Sequence, residues 1–398
     1  AGRPAEQLGG GHSDSPMTDM GRVGGPHLPP STGVETPVAL QLGQAQVVAQ
    51  LTGPGSLNHT DERWHVYGTD LGHMFDHGGT LYVVFGDTFG PTFGSDWRSN
   101  TMAWTADADP SDGLTFQGMI TGADGRAREL LASQKLFGVE VTVIPTYGVS
   151  VGDRMFLHYM SVRHWGPPGQ WETNHSGLAY SDDQGQTWVK DPGVTWPADS
   201  NFAQVAMLRS GGFVYLFGIP AGRFGGVRLA RVSAADLLLP HAYEYWDGSA
   251  WRRGGELAAA TIVPAPVGEL SVGWSPFHRR WLMLYLNEDR DAIVLRSASR
   301  LTGPWSHEQV LVTAQEHPTL YAPYLVPGAA TGPDLYFTMT RFDAYNVFLM
   351  RSRLLPVPAL PPPDLAPPPD LAPPPDLTPP PDLMPLPDLT PPQPQPAS

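Results

Sequence analysis

Residues 64–105 read WHVYGTDLGHMFDHGGTLYVVFGDTFGPTFGSDWRSNTMAWT, and the run at their centre, LYVVFG (81–86), decides the fold. It is an unbroken apolar stretch closing on glycine, rich in β-branched and aromatic residues and short enough for a strand. The same kind of run returns as MFLHYM (155–160), FVYLFG (213–218), WLMLYL (281–286) and LYFTMT (335–340). The recurrence is about 63 residues, in the range of one propeller blade with long loops. Upstream of each run lies a strand bearing a polar residue: Asp70, Glu140, Gln204, Glu269 and Tyr324. Downstream of each lies a strand of alternating character: NTMAWTAD (100–107), SGLAYSDD (176–183), GVRLARVS (226–233), AIVLRSAS (292–299) and NVFLMRSR (346–353). A weaker fourth strand follows in four units, at 114–120, 187–191, 243–253 and 303–312. The fifth unit has no sequence left for one, and VALQLGQAQVVAQLTG (38–53), one strand or two, is the natural donor. The expectation is an all-β, five-bladed β-propeller over residues 37–355, closed by its own N-terminal strand. An open sandwich explains the alternation but not the five-fold recurrence.

The flanks differ in kind. Residues 1–36 are rich in Gly, Pro and Ser without periodicity and read as a disordered or extended leader. Residues 356–398 repeat PPPDLx, which cannot build a core because proline removes donors and fixes φ. That tail is expected to be an extended spacer. The composition suits turns and strands: 398 residues, 44 Gly, 44 Pro, only 16% charged. A formal charge of −15 argues against a nucleic-acid partner, whose phosphates need a basic surface. There is no Cys, hence no disulfide or thiolate chemistry, and no apolar run long enough for a membrane helix. The His spacing matches no metal site, so no metal and no cofactor are expected. A monomer is expected; the start at Ala1 fits either a removed signal peptide or a trimmed chain, and on the first reading the protein is expected outside the cell or on its surface.

Inner strands of a propeller converge on its axis, so distant polar residues can meet at one mouth. Hydrolysis of a glycosidic bond needs two carboxyl groups, one to protonate the leaving oxygen and one to act at the anomeric carbon. Asp70, between Gly68 and Gly72, and Asp87, closing LYVVFGD, are the favoured pair, and Glu269 in the fourth blade is a third catalytic candidate. The glycines beside Asp70 are read as leaving room for a substrate. Candidate substrate-binding residues are Trp97, Arg98 and Asn100 in DWRSN, then Glu140, and then Trp171, Asn174 and His175 in the 164–177 loop. Gln204, Arg223 between glycines, Tyr321 and Tyr324 complete the set. Tryptophan stacks on sugar faces and arginine forks to hydroxyls or carboxylates. SDDQGQTW (181–188) matches the Asp-box turn S-x-D-x-G-x-T-W and, like TGPW (302–305), is read as structural.

Over residues 55–353 the chain resembles a bacterial family known as domain of unknown function 4185 (DUF4185). The matching segments are YGTDLG (67–72), FGDTFG (85–90), DWRSN (96–100), GQWETNHSGLAYSDDQGQTW (169–188), YLFGIPAGRFGGVRLARV (215–232), GELSV (268–272) and YNVFLMRS (345–352). The resemblance implies glycoside hydrolase family 183, an endo-acting D-arabinanase cutting the furanose polymer of mycobacterial-type cell envelopes. Its carboxylate pair falls on Asp70 and Asp87. The leader and tail lie outside the match. Two other readings compete: a non-catalytic carbohydrate-binding propeller, and a sialidase needing three arginines converging on a carboxylate, for which Arg98, Arg223 and Arg296 are the candidates.

Overall fold

A computed structural model describes residues 40–356. The leader and the PPPDLx tail lie outside the described residues. Within them the chain is a five-bladed β-propeller of five antiparallel sheets. Blade 1 contains Gly68–His77, Thr80–Phe89, Thr101–Thr105 and Gly118–Met119. Blade 2 contains Thr142–Val151, Arg154–Trp165, Trp171–Ser181 and Val189–Pro197. Blade 3 runs from Gln204–Ser210 through Phe213–Ile219 and Gly225–Ser233 to the short Glu244–Trp246 and Trp251–Arg252, and Thr261–Val267 also pairs with its third strand. Blade 4 contains Leu270–Ser275, Arg280–Asn287, Ala292–Ala298 and Gln309–Thr313. Blade 5 contains Leu320–Leu325, Asp334–Arg341 and Asn346–Pro356, and its outer edge is supplied from the N-terminal side. Leu40–Leu42 and Gln46–Gln50 both pair antiparallel with Asn346–Pro356. The expected closure is present, as two strands.

The repeated apolar run has a packing cause. A blade is buried on both faces by its neighbours, so successive side chains of its second strand, which point to opposite faces, must both be apolar. In Thr80–Phe89, Val83 and Phe85 pack into a cluster with Tyr336, Val347 and Leu349 of blade 5. Tyr82 and Val84 pack instead with Val143, Met155 and Leu157 of blade 2. Each such fully buried side chain contributes about 1.5–3 kcal/mol.

The fourth strand of blade 1 is shorter than the sequence implies. Only Gly118–Met119 pairs, because Leu114 and Phe116 turn toward the segment before the blade. There Asn58 Nδ2 donates to Leu51 O and Leu114 O, and Asn58 Oδ1 accepts from Phe116 N. The Asp-box closes a turn on the far side of blade 2. Asp183 accepts from Thr187 N (2.8 Å) and Thr187 Oγ1 (2.6 Å), while Trp188 Nε1 donates to Gly185 O. Trp305 of TGPW packs edge-on against Phe217 of blade 3. Both features hold the scaffold.

All five inner strands begin at one end of the axis. The described ends of the chain, Leu40 and Pro356, pair with each other at the opposite end, beside the turn that precedes Asp334.

Candidate active site

Where the inner strands begin, a cleft of about 770 Å³ opens on the axis, lined from all five blades. Its floor carries Asp70, Asp87, Gln204, Glu269, Tyr321 and Tyr324, and its walls are aromatic: Phe89, Phe93, Trp97, Trp165, Trp171, Phe342 and Tyr345.

Asp70 sits where blade 1 loses regular register. Thr69 pairs with Thr88, Leu71 with Phe85 and His73 with Val84, so each strand carries an extra residue in turn. Such bulges re-aim side chains beside functional sites. Leu71 (φ 66°) and Gly72 (φ 88°) are both left-handed there, and a Cβ on Gly72 would sit 3.0 Å from Val347. The glycines flanking Asp70 therefore serve the backbone and the packing, not substrate approach, since Gly68 lies against Tyr345. The residue that makes room is Gly86. A Cβ built on it would lie 2.4 Å from Asp70 Oδ1.

Asp70 Oδ2 accepts from the Tyr321 hydroxyl at 3.0 Å, and Oδ1 is buried without a partner among the described residues. Burial, then the Asp87 charge, push Asp70 up to about 8 against the opposing Tyr321 hydroxyl. Asp87 is 8% exposed. Its Oδ1 accepts from Thr142 Oγ1 of blade 2 (2.6 Å) and from Trp97 Nε1 (2.7 Å). Burial pushes Asp87 up only to about 6, because those two donors favour its charged form. Two neighbouring carboxyls with separated titrations form an acid and a charged partner near neutral pH.

Glu269 immediately precedes the inner strand of blade 4. Its Oε1 accepts from Arg223 Nε (3.1 Å) and Nη2 (3.0 Å), while Arg223 Nη1 donates to Glu288 Oε1 (3.0 Å). Burial works to lower Arg223, but Glu269 and Glu288 outweigh it and hold the guanidinium above its ordinary range. Gln204 Nε2 donates to Pro220 O and Gly222 O, fixing the loop that delivers Arg223. Tyr324 packs edge-on to His73 and Tyr147 beneath the floor. His73 and His158 are buried and neutral, both pushed down to about 3 by burial.

Nine of the expected site residues thus line the cleft: Asp70, Asp87, Glu269, Trp97, Trp171, Gln204, Arg223, Tyr321 and Tyr324. Five lie outside it. Arg98 turns away from Asp87 and donates to His65 O and Ala127 O. Asn100 is fully buried and spends its amide on Leu130, Leu131 and Val143 backbone groups. Glu140 precedes its strand and accepts from Gln134 N and Ser161 Oγ. Asn174 donates to Val139 O and Ser161 Oγ, and His175 stands edge-on to Tyr159 on an outer strand. The sialidase arrangement is not formed either. Arg296 bonds Tyr285, Ser306 and Glu308, leaving Arg223 as the arginine of the cleft.

The sequence reasoning missed Glu288, Phe342 and Tyr345. Glu288 and Phe342 follow the second strands of blades 4 and 5, as Asp87 closes LYVVFGD. That equivalence was the available signal.

The family model described as domain of unknown function (DUF4185) matches residues 55–351. The chain belongs to the DUF4185 family. Among its family relatives, Notoamide biosynthesis cluster protein J of Aspergillus sp. (strain MF297-2) is 30% identical over 351 residues, covering 80% of this chain and 90% of that protein. A crystal structure from Bacteroides ovatus, to which hydrolase activity is ascribed, superposes with a TM-score of 0.52. It is 14% identical and covers 81% of this chain and 97% of the other. A family 117 glycoside hydrolase of Zobellia galactanivorans superposes at 0.47, with 14% identity over 78% and 90% of the two chains. At 14% identity the likeness to the Bacteroides ovatus structure is one of fold.

Proposed function

We propose that this protein is a glycoside hydrolase in which Asp70 and Asp87 form the reacting carboxyl pair. The supporting observation is their joint burial at one mouth of the propeller with titrations held apart, at about 8 and about 6. At pH 7 Asp70 carries a proton to give to the leaving oxygen, and Asp87 supplies the negative oxygen at the anomeric side. Glu269 keeps its place through Arg223 and borders the pair. The aromatic walls suit sugar faces. The family resemblance makes D-arabinan the first substrate to try, and an extracellular or surface location goes with a polymer of that kind.

The test is incubation with purified D-arabinan, arabinogalactan and a panel of arabinans, with released oligosaccharides as the readout. Asp70→Asn and Asp87→Asn are expected to lose turnover by at least about a thousandfold while staying folded. Full activity in both variants removes the mechanism whatever the substrate. A second reading draws on the notoamide cluster relatives and on the aromatic wall from Phe89 to Tyr345. In it the same acid–base pair acts on a biosynthetic intermediate that packs on that aromatic wall, and not on a polysaccharide. Turnover of any glycan panel member excludes it.

A further inference from the structure

The charges of the cleft are one-sided. Among the described residues, five carboxyl side chains line it, Asp70 (the one that holds its proton in the hydrolase reading), Asp87, Glu269, Glu288 and Asp291, against the single cation Arg223, with no lysine or histidine. Arg223 is already committed. Three of its N–H groups are engaged by Glu269 and Glu288, and its guanidinium lies 5.0 Å from the Tyr321 ring centroid. It holds the floor together and has little left for an anion.

The neutral groups repeat the pattern. Trp97 Nε1 is given to Asp87, the Tyr321 hydroxyl to Asp70, and the Gln204 amide to two backbone carbonyls. Glu269 Oε2 is an acceptor buried without a partner among the described residues, and Glu269 is 7% exposed. Asp70 Oδ1 is also unpartnered, and it donates while Asp70 holds its proton and accepts once that proton is lost. Trp171 Nε1 is an unpartnered donor, but a neutral one. A buried acceptor without a donor is costly, so such a floor favours ligands that bring O–H or N–H groups.

We propose that this cleft selects hydroxyl-rich or amine-bearing glycans and rejects those carrying carboxylate, sulfate or phosphate groups. An acid group seated here meets several like charges in a partly desolvated site, while Arg223 is held by Glu269 and Glu288, and Lys135, beside Trp97, is paired with Glu129. Like-charge juxtaposition of this kind weakens binding by roughly a hundredfold or more. An ammonium group meets carboxylates and aromatic faces, the pairing that favours cations. The selection concerns binding; only its role in catalysis rests on the glycoside hydrolase reading.

The experiment is binding of the full chain to an array of neutral polysaccharides (arabinan, galactan, xylan), acidic ones (polygalacturonate, alginate, heparin) and chitosan, with hydrolysis followed separately. Signal is expected on neutral glycans or chitosan and at least about a hundredfold less on the acidic set. The chain's formal charge of −15 also repels polyanions at long range, so the local effect is read from a variant. Glu288→Gln releases one arm of Arg223 and is expected to raise the acidic-to-neutral binding ratio about tenfold, far beyond a change of one charge in the total. Asp291→Asn, at the rim, is expected to move the ratio the same way. Acidic glycans bound as well as neutral ones, an unchanged ratio in both variants, or no glycan bound at all would each overturn the proposal. Selective binding without hydrolysis would leave it standing and remove the hydrolase reading instead.

Discussion

Replacing Thr142 with valine tests the acid–base assignment without touching the cleft wall. Thr142 is fully buried on the inner strand of blade 2, and its hydroxyl donates to Asp87 Oδ1 at 2.6 Å. Valine keeps the shape and removes the donor, leaving Trp97 Nε1 as the remaining bond to that oxygen. A hydrogen bond to a charged group is worth about 1.5–3 kcal/mol, and one pKa unit is about 1.4 kcal/mol. The loss therefore raises Asp87 by about one to two units, taken here as about one because Trp97 can tighten. Asp87 must be ionised to act, so activity rises with pH through its titration. Asp70 must be protonated, so activity falls through its own. On the proposed mechanism the parent protein is expected to show a bell with limbs near 6 and 8. In Thr142→Val the acid limb moves to about 7, cutting kcat/KM roughly tenfold at pH 5 and only about twofold at pH 7. The assay is kcat/KM against pH from 4 to 10 on the glycan that the substrate panel identifies. An acid limb that stays in place or moves down, or a uniform loss at every pH, refutes the assignment of Asp87.

Three other outcomes follow from the same contacts. Asp70→Asn should stabilise the fold at alkaline pH: its folded value of about 8 lies above the unfolded 3.8, so native protein binds the extra proton and wild-type stability declines between those values. Thermal melts should show the variant gaining Tm above about pH 8 and no gain below about pH 4; a gain independent of pH counts against a buried, raised Asp70. Gly86→Ala places a methyl 2.4 Å from Asp70 Oδ1 and 3.1 Å from Leu71 Cδ1, and should cost about a hundredfold in kcat with a near-native circular dichroism spectrum. Unaltered kcat would show that the Asp70 position is not critical. Asn100→Ala strips four hydrogen bonds from buried backbone groups and should cost about 3–5 kcal/mol in denaturant melts, with the pH limbs of any folded enzyme unmoved.

How legible the site was depended on where each residue lies along its strand. Asp70, Gln204, Glu269 and Tyr321 sit at or near the starts of inner strands, and a repeat that aligns the blades aligns those starts. Glu140 occupies a similar place in the sequence but precedes its strand by two residues, and its carboxylate is taken by Gln134 and Ser161. Asn100 and Arg98 follow Asp87 closely in sequence, yet the chain reverses between them, and both side chains tie the blade 1 loop to the segments beneath it. Polarity and proximity in sequence do not separate a residue that faces a cavity from one that staples a loop. That distinction depends on which backbone groups lie opposite.

The repeat of apolar runs determined the five blades and the closing N-terminal strand, because each blade is buried on both faces and its middle strand records this as unbroken hydrophobicity. It also determined that Asp70 and Asp87 lie on adjacent strands of one blade. Only the tertiary structure decided their chemistry. The titrations differ because Thr142 arrives from the next blade to support Asp87, while the Asp70 carboxyl is buried against Gly86, feels the Asp87 charge and accepts from the Tyr321 hydroxyl of blade 5. The same holds for Arg223. Its partners Glu269 and Glu288 come from the neighbouring blade, and their convergence turns a candidate substrate-binding arginine into an internal tie. Burial and cross-blade hydrogen bonds depend on how the blades meet around the axis, and no single strand encodes that.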